Sequence, residues 1–221
     1  MDTQENQQRS FPMNATTSKG DQDSIMFKLD EHKIPQWLRD EVNEYFINIP
    51  EDYRASVVLD IGANIGAFMQ HARKLWPDAV IYCYEPMCSN TCQLRQNVDG
   101  LTEIVSAAVR EHNGVDMIHV GKHYVTSSFH KGKRQTDYEV PVECIAAKQL
   151  PPADVIKIDT EGCEVEILKN LRLFRCKYLM IEYHSRENRK EILKFIEPLT
   201  FESIYDSYGE DVGVIVFEDQ A

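Results

Sequence analysis

The chain has 221 residues and no apolar run long enough to cross a bilayer, which takes about 20 residues as a helix. It is short of positive charge: 24 Lys and Arg against 36 Asp and Glu leave a formal net charge of −12. A phosphate backbone calls for a basic surface, and so does an anionic membrane face. Neither nucleic acid nor membrane is therefore an expected partner. The local basic run Lys131, Lys133 and Arg134 reads as a solvated loop. There is no C-x-x-C pair among the six cysteines, and Met1 to Ser24 lacks the apolar core of a targeting sequence. Free thiols in a reducing cytosol, hence a cytoplasmic protein, are expected. Cys88 and Cys92 lie one helical turn apart, with no second Cys pair or nearby His to complete a metal site, and read as helix packing. His119 and His123 share that spacing in a segment that looks extended, and read as surface or loop residues. No internal repeat is visible.

What is present begins with 43% hydrophobic residues, enough for one α/β domain with an extension. Residues 1–24 are polar and expected to be disordered, 25–55 form a helical cap segment, and 56–221 form the main domain. Within the cap, Ile34, Leu38, Val42, Tyr45 and Phe46 mark one helix face, and Pro35 suits a first turn. The helix reads equally as a cover over a ligand or as plain packing on a sheet.

The most informative stretch is Val57 to Phe68, VVLDIGANIGAF. An apolar strand runs into Asp60 and then into Gly62, Asn64 and Gly66 at alternate positions, followed by a helix start. Glycine there permits positive φ and close ligand approach, and the helix start offers free N–H groups. A dinucleotide loop, G-x-G-x-x-G/A, has an acid about 20 residues on; Gly62, Asn64, Ala67 and Glu85 fit it loosely. Asp60 argues against it, because a pyrophosphate is disfavoured beside a carboxylate. The ammonium and sulfonium of S-adenosylmethionine favour one, so S-adenosylmethionine is the expected cofactor. Ala79 to Tyr84 is a second strand ending in Glu85-Pro86, where a carboxylate is able to accept both ribose hydroxyls.

Alternation continues with helices over 66–75 and 89–97 and a strand over 103–107. An insertion follows, with strands over 115–120 and 138–145 around a polar loop. Then come strand 154–158, helix 163–171, strand 178–183 and helix 186–199. Strands 201–206 and 212–217 close the chain, antiparallel across a short turn. A doubly wound, mostly parallel α/β sheet with an antiparallel C-terminal edge hairpin and a β insertion is predicted.

These residues resemble the FkbM-like methyltransferases, a class I, Rossmann-like branch of the S-adenosylmethionine-dependent enzymes. The likeness rests on DIGANIG (60–66), YEP (84–86), the helix end at Leu94 to Asn97, SAAV (106–109), TSSF (126–129), VECI (142–145) and IKIDTEGCE (156–164). It implies a seven-stranded sheet with the last strand inserted beside its neighbour, and O-methylation of a hydroxyl on a small molecule or sugar. It implies that Asp60, Gly62, Asn64 and Gly66 line the methionine end, that Glu85 and Pro86 sit at the ribose, that Ser106 and Ala107 sit by the adenine, and that Asp159 and Glu161 face the cleft.

A hydroxyl acceptor gains from a base within hydrogen-bond reach. Asp159, Glu161 and His184 are the candidates, at the carboxyl ends of strands where such sheets hold ligands. Asp159 reads equally as a helix cap, and Glu161 as a first-turn acid. Glu182 is placed to orient His184 or Lys157. Thr126, Ser127 and Ser128 are further hydrogen-bonding candidates. No metal site is predicted, although Asp159, Glu161 and His184 together would be able to hold a divalent ion. A non-catalytic S-adenosylmethionine-binding module and an NAD-linked oxidoreductase remain as alternatives. A base-flipping amino methyltransferase is disfavoured, because no aromatic beside a proline pair follows the fourth strand.

Overall fold

A computed structural model describes residues 34–120, 138–209 and 211–221. The polar tail, the segment holding Thr126, Ser127 and Ser128, His123 and the basic run at 131–134 lie outside the described residues. Helix α1 (Gln36–Val42) continues as a 3₁₀ turn (Asn43–Phe46) and leads to β1 (Val57–Ile61). Then follow α2 (Ala67–Leu75), β2 (Val80–Tyr84), α3 (Cys88–Leu94) and β3 (Thr102–Val105). β4 (Ala108–Arg110), β5 (Gly114–Val120) and β6 (Tyr138–Ala146) form the insertion. β7 (Val155–Ile158), α4 (Glu164–Asn170), β8 (Tyr178–Tyr183), α5 (Arg186–Ile196), β9 (Phe201–Asp206) and β10 (Gly213–Asp219) complete the fold.

The main sheet has seven strands in the order β3-β2-β1-β7-β8-β10-β9. β10 runs antiparallel between β8 and β9, so the last strand is inserted rather than added at the edge. β7 and β8 are buried along their whole length, which is why they read as apolar runs broken only by Lys157 and Glu182. Successive side chains alternate between two cores. Val58, Val155, Tyr178 and Met180 pack under α1 and α2. Leu59, Ile156, Leu179 and Ile181 pack under α4 and α5. The insertion is larger than the expected strand pair. β4 takes the Ala108 to Arg110 stretch into a second sheet, pairing parallel to β6, which pairs antiparallel to β5.

Two cysteine and histidine readings change. Cys88 and Cys92 are exposed, because α3 buries Asn90, Thr91 and Leu94 instead. His119 lies in β5 with its side chain largely covered, 3.0 Å from Glu139.

The chain order reverses between β1 and β7, since their neighbours lead off in opposite directions. Such a switch point opens a crevice outside the carboxyl ends of the strands. Gly62 follows β1 there and Asp159 follows β7.

Candidate active site

A cavity of about 270 Å³ occupies this crevice. One side carries Gly62, Asn64, Tyr84, Glu85, Pro86, Met87 and Asn90, closed by Ala108, Val109 and Ile118 of the insertion. The other carries Asp159, Thr160, Glu161 and Glu182, roofed by Trp37, Leu38 and Glu41 of α1. Helix α1 is therefore a wall of the cavity, and its Val42 and Leu38 also pack into the core.

The glycine loop is shaped by close approach. Gly62 has φ 83° and Asn64 φ 50°. A Cβ on Gly62 would overlap the carbonyl oxygen of Asp159, so the loops after β1 and β7 touch backbone to backbone. Gly62→Ala is expected to cost about 1–3 kcal/mol in strain alone, read as a lower urea midpoint at unchanged slope. Gly66, φ 96°, is the N-cap of α2 and lets Leu94 and Met69 pack against it. It is absent from the cavity lining, so its part is to seat the helix.

Glu85 stands at the tip of β2, 5% exposed. Its Oε2 accepts from the Asn64 N–H at 2.9 Å, and its Oε1 from the Met87 N–H at 2.8 Å and the Asn90 amide at 3.2 Å. Burial pushes its carboxyl up to about 7 against those hydrogen bonds. Each carboxylate oxygen takes two donors or more, so the group has room for ligand hydroxyls.

Asp60 does not line the cavity. It is fully buried, and Lys157 Nζ lies 3.2 Å from its Oδ1, 3.2 Å from Asp159 Oδ2 and 2.7 Å from the Gly62 carbonyl that accepts from it. The cause is register: Asp60 and Lys157 are opposed in β1 and β7, and parallel neighbours point their side chains to one face. Burial works against the Lys157 charge, yet Asp159 and Asp60 hold the ammonium above its usual range. Burial raises the Asp60 carboxyl, with Lys157 opposing. The aspartate expected at the methionine end instead anchors a lysine under the glycine loop.

Ser106 is exposed, with its hydroxyl 3.3 Å from Arg95, and Ala107 is buried. Neither lines the cavity. The chain turns after β3, so the wall expected of them is made by Ala108, Val109 and Met87. Asp159 is no helix cap. α4 starts at Glu164, and the Glu164 carboxylate accepts from the N–H groups of Thr160 and Gly162 at 3.0 and 2.9 Å. Glu161 precedes the helix in a left-handed conformation, φ 56°, rather than in its first turn.

His184 is ringed by carboxylates. Its Nδ1 lies 3.2 Å from Glu164, and its Nε2 lies 3.3 Å from Glu182 and 3.5 Å from Glu161. Burial lowers its basicity, but Glu164 and Glu182 outweigh this and push it up to about 11. The free-imidazole titration range expected of it is lost, and at neutral pH it is a cation set among three carboxylates. Burial and the neighbouring Asp159 push Glu182 up to about 8. Burial raises Asp159 too, but Lys157, the hydrogen bond from Glu182 and the His184 charge hold it below the usual range. The floor thus pairs an ionised Asp159 with a Glu182 that holds its proton more tightly than an ordinary carboxyl.

Asp159, Glu182 and His184 offer ligand atoms all within 4.8 Å of one another, so the cation-holding set includes Glu182 where the sequence suggested Glu161. A metal there would have to displace the His184 proton.

Sequence reasoning missed Glu182 as a floor residue and Glu164 as the carboxylate that organises the 159–164 loop. Strand alternation carried the first signal: Asp60, Lys157 and Glu182 all fall on the face of Val58, Val155 and Met180.

The sequence profile of the methyltransferase FkbM domain matches residues 60–206. The hexuronic acid methyltransferase AglP of Haloferax volcanii is 23% identical over 168 residues, covering 72% of this chain and 69% of that protein. Among solved structures, M. capricolum TrmK in complex with S-adenosylhomocysteine matches with a TM-score of 0.51 at 13% identity, over 85% of this chain and 69% of that one. The Methanococcus jannaschii fibrillarin pre-rRNA processing protein matches with a TM-score of 0.51 at 18% identity, over 79% and 70%. At such identities the two structures speak for the fold alone.

Proposed function

From the premise that this chain belongs to the FkbM methyltransferase family and is an S-adenosylmethionine-dependent methyltransferase, we propose that the methyl group goes to a hydroxyl oxygen of a sugar or another small polyhydroxylated molecule. The observation that carries this is the carboxyl pair Asp159 and Glu182 on the cavity floor, one ionised and one titrating near neutrality. A hydroxyl must shed a proton as its oxygen attacks, and such a pair is able to take it. The relative's name, a hexuronic acid methyltransferase, supports a sugar as the substrate class.

In this reading Glu85 would hold the ribose hydroxyls of S-adenosylmethionine, and the loop from Gly62 to Asn64 would hold its methionine portion. Asp60 acts from behind, by holding Lys157 under that loop. Asp159, Glu161 and Glu182 would favour the positive charge of the sulfonium end, and the cofactor would supply the methyl group to the acceptor oxygen and leave as S-adenosylhomocysteine. The hydroxyl proton passes to Glu182, with Asp159 beside it. Alignment of the two reactants contributes about 7–11 kcal/mol. His184, a cation, orients Glu182 and Glu161 rather than accepting the proton.

Turnover follows the ionised fraction of Glu182. It rises as pH passes upward through about 8 and falls below it. Glu182→Gln is expected to remove that limb and lower kcat by about 10²-fold or more, with S-adenosylhomocysteine affinity unchanged. The assay is transfer of labelled methyl to a panel of sugars and hydroxylated metabolites, with the pH profile taken on the acceptor that turns over. A Glu182→Gln enzyme with the wild-type profile would remove the base from Glu182. Full turnover in Asp159→Asn as well would remove it from the pair. Cofactor binding with no transfer to any hydroxyl would favour the non-catalytic reading.

A further inference from the structure

Trp37 is 54% exposed and stands on the cavity wall. Among the described residues, Phe46 and Tyr53 contact the other tryptophan, Trp76, and no such ring contact engages Trp37. Leu38 and Glu41 accompany it, one residue and one turn further along α1. The Glu41 carboxyl lines the same cavity as Asp159, and burial and that carboxylate push it up.

Among the described residues, the charged side chains of the cavity wall are all acids: Glu41, Glu85, Asp159, Glu161 and Glu182. Glu85 lies at the tip of β2 and Glu182 at the end of β8, three strand spacings away in the order β2-β1-β7-β8, roughly 14 Å. A cofactor held at Glu85 with its sulfonium over Asp159 leaves the Trp37, Glu41, Glu161 and Glu182 end for the acceptor. That end offers one flat apolar surface and several hydrogen-bond acceptors.

We propose that Trp37 is the platform on which a pyranose ring of the acceptor stacks, its hydroxyl rim donating to Glu41 and Glu161 while the reacting hydroxyl faces Glu182. A pyranose has a face of C–H bonds, apolar and slightly positive, which suits the electron-rich face of an indole. Its edge carries hydroxyl donors for those carboxylates. A flat aromatic would stack as well but would bring no hydroxyl to Glu41, Glu161 and Glu182, and an acyl chain would bring none either. The proposal rests on the hydroxyl-acceptor reading and adds to it the ring class and the residue that selects it.

The test is calorimetric titration of the S-adenosylhomocysteine-loaded protein with methyl hexopyranosides of gluco, galacto and manno configuration and the corresponding methyl uronates. Saturable binding of at least one is expected, about tenfold weaker in Trp37→Ala, a change of ~1.4 kcal/mol, and largely restored in Trp37→Phe. S-adenosylhomocysteine affinity is expected to be the same in all three proteins. Because Trp76 is buried and Trp37 is the other of the two tryptophans, the bound sugar is also expected to shift the emission of the exposed indole. No pyranoside binding at millimolar concentration, or equal binding by Trp37→Ala, overturns the platform while leaving the methyl-donor site intact. Failure of S-adenosylhomocysteine to load overturns the reading of the site itself.

Discussion

Glu85→Ala is expected to abolish the rise in melting temperature that S-adenosylhomocysteine produces. A ligand at a hundred times its dissociation constant stabilises the native state by about 2.7 kcal/mol, and about 2–4 °C per kcal/mol is usual for a domain of this length. The wild-type shift is thus roughly 5–10 °C. Each hydroxyl bonded to the carboxylate contributes about 1.5–3 kcal/mol. Losing two lowers affinity by more than the hundredfold excess covers, and the shift disappears. The side chain also accepts from Asn64, Met87 and Asn90, so the alanine variant loses stability without ligand as well. Glu85→Gln separates the two effects by keeping the volume and one acceptor oxygen.

The same carboxyl gives a pH signature. It titrates at about 7 and accepts ribose hydroxyls best when ionised. Affinity for S-adenosylhomocysteine is therefore expected to be full above pH 7 and to fall as pH drops through it, by direct titration. In Glu85→Gln the profile flattens. A wild-type-sized thermal shift in Glu85→Ala would take the ribose away from β2.

Lys157→Met is expected to be the most destabilising single change in the site. The ammonium sits between two carboxylates, one wholly buried, and donates to the Gly62 carbonyl. Methionine fills similar space and carries no charge. It leaves Asp60 and Asp159 facing each other in a medium that no longer screens them. Removing one partner of a buried ion pair costs about 3–5 kcal/mol, roughly 10 °C in melting temperature at the sensitivity above. Adding Asp60→Asn removes the stranded charge, so the double variant is expected to be more stable than Lys157→Met alone. Urea unfolding of the single and double variants measures the coupling. A loss in Lys157→Met below about 1 kcal/mol, the worth of an exposed pair, would mean that the charges are not coupled in the folded protein.

Much of the scaffold was legible because its signals are local. A strand running into Gly62, Asn64 and Gly66 is written within a dozen residues, and so are the strand ends at Glu85 and Asp159. β7 and β8 announce themselves as apolar runs, and the closing hairpin by a turn too short to permit anything but antiparallel strands. The boundaries that moved did so for tertiary reasons. The strand expected over 103–107 ends at Val105, and Ala108 to Arg110 forms a separate strand because β6 was there to pair with it.

The site divides along the same line. By itself the sequence determined the order of strands and helices, the glycine loop, the acid at the end of β2 and the acids after β7. Each of these depends on turn chemistry and periodicity over a few neighbours. The tertiary structure alone decided which of those groups carry a proton and which meet the ligand. Asp60 became the counterion of a lysine 97 residues away. His184 became a cation because Glu161, Glu164 and Glu182 converge on it from two different strand ends. The physical reason is range: backbone preference is settled between near neighbours in the chain, whereas ionisation is settled by desolvation and by charges a few ångströms away in space, wherever in the chain they arise.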